Sequence, residues 1–139
     1  MSNTRFNRPV DTDLKFMASA ALTPGGDGST ADATGVAVTS IAGGDGVVEA
    51  IFNVSAAAGT IDASNYIEVE VQVSADDATY YAVSESRVKV LETGAIVVAI
   101  ERKSIDELVA DVTHFRVTAT QTGTTATAVT LDAYFSPAK

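Results

Sequence analysis

The stretch Tyr66-Ile67-Glu68-Val69-Glu70-Val71-Gln72-Val73-Ser74 alternates without a break: Ile67, Val69, Val71 and Val73 fall on one side, Glu68, Glu70, Gln72 and Ser74 on the other. Successive side chains of a strand point to opposite faces, so this period of two predicts a β-strand with one dry and one wet face. Ser74-Ala75-Asp76-Asp77-Ala78-Thr79 then supplies turn chemistry, because Asp side chains bond nearby backbone amides. Tyr80-Tyr81-Ala82-Val83 resumes with aromatic and β-branched residues, and 66–83 reads as a hairpin.

Working outward, the same reasoning predicts strands at about 15–22, 35–41, 47–55, 86–92, 95–102, 113–121 and 126–135, separated by Gly, Asp, Ser or Thr clusters. In the last two, Phe115, Val117 and Ala119, then Val129, Leu131, Ala133 and Phe135, hold alternate positions. Ser104-Ile105-Asp106-Glu107-Leu108-Val109 carries the single helical signal, with Ser104 placed to cap one short turn and Glu107 three residues on. Eight or so short strands with turns about every ten residues predict an all-β fold. The expected form is an antiparallel β-sandwich, jelly-roll-like by strand count, with an immunoglobulin-like sandwich as the alternative. Phe52, Phe115 and Phe135 are the expected aromatic core.

The 139 residues suit one domain, and 46% hydrophobic content is enough apolar surface to order it. The chain has no cysteine, which removes disulfides, thiolate metal sites and a cysteine nucleophile. Eighteen acids oppose nine bases, and no Lys or Arg occurs between Phe16 and Ser86. A surface of that sign repels polyanions, so nucleic acid is not an expected partner. No window approaches the roughly 18 uninterrupted apolar residues of a membrane helix, so no membrane partner is expected. The start, Met1 to Pro9, is polar and basic and runs into Val10-Asp11-Thr12-Asp13 rather than an apolar core, which does not predict a secretory signal.

Residues 1–14 carry no period and are expected to form an extended arm ahead of a single sandwich domain at 15–139, with Leu22 to Thr30 as a flexible link. Arg5, Phe6, Arg8, Val10, Leu14 and Phe16 are the candidate contacts of this arm with a neighbouring subunit or partner. Gly-Gly-Asp-Gly occurs at 25–28 and 43–46, but each copy carries an acid and leads toward strand sequence, which reads as turns rather than a phosphate loop. Neither has the ligand spacing of an EF-hand, so no cofactor or metal is expected. His114 is the lone histidine, out of phase with Phe115 and expected to be solvated, and no Gly-x-Ser-x-Gly elbow exists. Glu68 and Glu70 share a strand face, as alternation on a wet face commonly arranges. No catalytic role is expected.

Three features in series carry a resemblance: the basic-polar arm from Met1 to Asp13, the Gly/Thr/Ala-rich lead-in from Ala21 to Gly35, and an acidic, cysteine-free β-domain. Within it, Asn65 to Val83 looks like the strand, acidic turn and aromatic strand of many phage structural proteins. The whole resembles the small decoration or cement proteins of tailed bacteriophages. That resemblance implies a structural virion protein made in the host cytoplasm and attached symmetrically to the outer capsid surface. Its implied partner is the major capsid protein, and its implied state a homo-oligomer, typically a trimer. A tail-tube or head–tail connector subunit is the alternative, and a carbohydrate- or host-surface-binding module a second. The last would need exposed aromatics, for which Tyr66 and Tyr134, out of phase with their strands' apolar faces, are the candidates.

Overall fold

The computed structural model describes residues 15–37 and 47–137. Along the chain run β1 Lys15–Leu22, β2 Thr30–Asp32, β3 Val36–Ala37, β4 Val47–Gly59, β5 Tyr66–Ser74, β6 Tyr81–Val90, β7 Gly94–Glu101, α1 Arg102–Leu108, β8 His114–Thr122 and β9 Ala126–Pro137. They build two antiparallel sheets, one ordered β1-β9-β4-β7 and the other β2-β8-β5-β6, with β3 also on β8. Thr30 to Asp32 pair with Thr120 to Thr118, and Val36 and Ala37 with Phe115 and His114. β2 and β3 are therefore two halves of one strand, broken at Ala33 to Gly35.

With these halves counted as one, the sheets read 1-8-3-6 and 2-7-4-5. Each position pairs with its complement: β1 with β9, β2/β3 with β8, β4 with β7, and β5 with β6. One long antiparallel hairpin, rolled on itself, produces this order, and the result is the eight-stranded jelly-roll sandwich. An immunoglobulin-like order would keep the first two strands in one sheet, whereas here they lie in opposite sheets.

The alternation seen in the sequence fills the space between the sheets. Ile67, Val69, Val71 and Val73 of β5 are fully buried, as are Phe52 of β4 and Leu131 of β9. Phe16, Phe115 and Phe135 form one aromatic cluster, with centroids 4.5 Å apart for Phe16–Phe135, 4.8 Å for Phe115–Phe135 and 5.8 Å for Phe16–Phe115. Phe16 and Phe135 come from one sheet and Phe115 from the other. The cluster thus ties the first strand to the last and both to the facing sheet.

Three expectations change. The segment Leu22 to Thr30 is fastened rather than free: the Gly28 amide donates to the Gln121 carbonyl at 2.7 Å, and the Gln121 amide to the Ser29 carbonyl at 3.0 Å. The strands expected at 80–83 and 86–92 are one strand, β6, with an irregularity in its pairing with β5 between Val69 and Val71. Ser86 sits in that irregularity, fully buried; its hydroxyl accepts from the Val71 amide at 2.8 Å and donates to the Val83 carbonyl at 2.6 Å. The helix begins at Arg102, with Glu101 at its N-cap and no side-chain capping bond, so Ser104 lies inside it.

Two substitutions separate these contributions. Phe135→Ala empties the middle of the aromatic cluster and is expected to cost about 3–5 kcal/mol in urea unfolding. Ser86→Ala removes little volume but leaves the Val71 amide unpaired in the interior, with an expected cost of about 1–3 kcal/mol.

Candidate functional site

Of the residues expected to contact a neighbour, Arg5, Phe6, Arg8, Val10 and Leu14 lie outside the described residues. Phe16 is described, and it is fully buried against Phe115 and Phe135. It anchors in its own chain's core rather than in a neighbour, because β1 adds to β9 and turns that ring inward.

The strand ends show where the chain enters the domain. Lys15 stands opposite Tyr134, Val48 opposite Pro137 and Val47 opposite Glu101, so the described chain begins and finishes at one end of the sandwich. Helix α1 and the turn between β5 and β6 close the same end, where the Thr113 amide donates to the Ser74 carbonyl at 2.9 Å. Ile105 holds α1 down through its fully buried side chain. Three large apolar residues stay exposed here: Val47 at 42%, Leu108 at 43% and Tyr81 at 49%. Tyr81, Leu108 and Val109 line a shallow groove of about 330 Å³ with Asp76 on its rim. A second groove of about 240 Å³ runs from Leu108 to Val83 between Glu85 and Glu107.

The wet face of the β2-β8-β5-β6 sheet is a connected polar surface. Arg116 on β8 donates through Nε to Gln72 Oε1 at 2.7 Å, places Nη2 3.5 Å from Asp32 and lies 4.0 Å over the Tyr80 ring. Thr118 donates to the other Asp32 oxygen at 2.8 Å. The Tyr80 hydroxyl donates to Asp77, which also lies 3.9 Å from His114 Nε2. Gly35 fits because a Cβ there would collide with the Tyr80 hydroxyl and the Asp77 carboxylate. Farther along, Arg87 bridges Glu70 at 3.0 Å and Glu68 at 3.7 Å, and Lys89 lies 4.6 Å over the Tyr66 ring.

Protonation follows these contacts. Burial, then the hydrogen bond to Asp77 and its charge, push the Tyr80 phenol up to about 12. The bond to Glu70 and its charge raise the Arg87 guanidinium. Asp76 is held below the ordinary carboxylate range by the backbone amides of Thr79 and Ala78 and the Ser74 hydroxyl, all of which donate to its carboxylate. Asp62 is lowered by the Asn65 amide side chain and the Ser64 backbone amide.

His114 is half-buried rather than freely solvated, its Nδ1 2.8 Å from the Thr113 hydroxyl. Glu68 and Glu70 share a face as expected, but both converge on Arg87. Tyr66 and Tyr134 are only partly exposed, and Tyr81 presents the most open ring among the four tyrosines. Among the described residues, no group of three or more His, Asp or Glu is placed to hold a metal, and no helix is long and apolar enough to cross a membrane. Charges engaged with each other on one face, and an apolar end with shallow grooves, suit contact with a broad surface. No protein-family model and no curated protein matches the chain.

Tyr80 supplies a test of the polar face. Its folded pKa lies above the ordinary value of 10.0, so its contribution to stability is complete below pH 10 and is lost as pH rises toward 12. Absorbance titration is expected to show tyrosine ionisation that extends to about pH 12. Tyr80→Phe should remove that late step.

Proposed function

We propose that this chain is a structural virion protein that attaches symmetrically to the outer surface of a tailed-phage capsid and stabilises it. The major capsid protein is its partner in this reading. The supporting observation is the end of the sandwich where β1 begins. There Val47, Tyr81 and Leu108 are exposed, and the segment holding Arg5 and Arg8 joins the domain immediately ahead. An apolar patch at the end where the described chain begins, in a sequence whose preceding segment carries basic residues, suits docking on a protein surface that is partly apolar and partly acidic.

Three further features agree with this. The jelly roll recurs in viral capsid proteins, although fold alone does not assign function. The net charge of −9 disfavours binding packaged nucleic acid and is no handicap outside a shell. A protein that binds closed shell but not its opened form stabilises the shell by mass action, and many copies add many weak contacts.

The test is co-sedimentation of the purified chain with shells assembled from the major capsid protein encoded in the same genome. The full chain is expected to saturate shells at a fixed copy number and to raise their resistance to heat. Deletion of residues 1–14 is expected to leave the circular dichroism of the β-domain intact and to abolish attachment. No binding by the full chain, or unchanged binding by the deletion variant, contradicts this reading.

A further inference from the structure

Among the described residues, the two sheets leave four strand edges, and three carry features that discourage pairing with another chain. β1 is irregular, with register shifts between Lys15 and Met17 and between Met17 and Ala20. The β2/β3 edge is two pieces of three and two residues. β6 carries Glu85, Arg87 and Lys89 and the irregularity around Ser86. Charges, bulges and short strands are the usual protections of a sheet edge.

β7 has none of these. It pairs with β4 from Glu101–Val47 to Gly94–Val54 without a register shift, and Gly94-Ala95-Ile96-Val97-Val98-Ala99-Ile100 holds no charge and no proline. Val97 at the centre of its outer face is 47% exposed, Ala95 and Ala99 beside it are exposed, and the inward-facing Ile96 and Val98 are only half covered.

We infer that the free edge of β7 binds β7 of a second copy of this chain, antiparallel and centred on Val97, joining two four-stranded sheets into one of eight. The sequence of β7 is complementary to itself in this register. Residues facing each other across an antiparallel pair share a sheet face. Val97 therefore meets Val97, Ala95 meets Ala99, and Ile96 meets Val98, which continues both cores across the junction. At the ends, Glu92 of one copy reaches the Arg102 and Lys103 end of the other. A parallel arrangement would instead set Glu101 of β7 beside its own copy, and like charges side by side destabilise a strand pair. A contact that uses the same patch on both partners closes as a two-fold pair. It is independent of attachment to a shell.

Sedimentation equilibrium of the full chain tests this. A species of twice the 14.3 kDa chain mass is expected, with Val97→Lys giving a monomer of unchanged circular dichroism. Val97→Cys provides a second reading that does not depend on how the lysine variant folds. The chain has no other cysteine. Paired Cα atoms about 4.5–5.5 Å apart fall within disulfide reach. Oxidation by diamide, which takes up the two thiol protons and two electrons as the S–S bond forms, should convert Val97→Cys to a covalent dimer. The control Leu91→Cys, also exposed but off the axis, should convert far more slowly. A monomeric or trimeric parent, or equal crosslinking of the two cysteine variants, overturns the proposal.

Discussion

Everything in this fold depends on one pairing constraint: each strand position must find its complement across a single rolled hairpin, first with last and fourth with fifth. The innermost pair, β5 with β6, is joined by a tight turn in which Asp76 gathers the amides of Ala78 and Thr79. The outermost, β1 with β9, joins residues more than a hundred positions apart. Closing so long a loop costs entropy, which must be offset by contacts that form only when the roll is complete. The Phe16, Phe115 and Phe135 cluster is such a contact, because its three rings come from the two ends of the chain.

The roll also decides what each surface can do. Because the polar residues of β5, β6 and β8 share one face, Arg116, Asp32, Gln72 and Tyr80 hold each other in place, and so do Arg87, Glu68 and Glu70. Exposed pairs of this kind contribute little to stability one by one, so their main effect is to order the face. The irregularity at Ser86 belongs to the same design: it accommodates the extra residues of β6 while Arg87 meets both glutamates of β5. Among the described residues, the apolar end beside α1 and the bare edge of β7 are two places where burial is incomplete.

Much of the architecture was legible in the sequence, because alternation in segments such as Ile67 to Val73 states both the strand and its buried face. The core aromatics Phe52, Phe115 and Phe135 followed from phase alone. What escaped depends on partners distant in sequence. Three residues, Thr30 to Asp32, are too few to display a period, and they are a strand only because β8 lies alongside. Ser84-Glu85-Ser86-Arg87 reads as a break between strands, yet Ser86 is the plug that lets one strand continue. The candidate site was less legible. Phe16 was in phase with a core whose existence required β9, and the Arg116–Tyr80 stacking needed the register of β8 on β5. Tyr81 and Leu108 gave no signal, since their exposure results from where α1 and the β5–β6 turn meet.

On the proposed reading, this sandwich stands outside a closed shell with its α1 end toward the capsid. A density map of shells with and without the protein tests it most directly. Added density is expected on the outer surface, fitting the eight-stranded sandwich with Val47, Tyr81 and Leu108 facing the shell. Density inside the shell or within a tail tube, or an outward-facing α1 end, would contradict it.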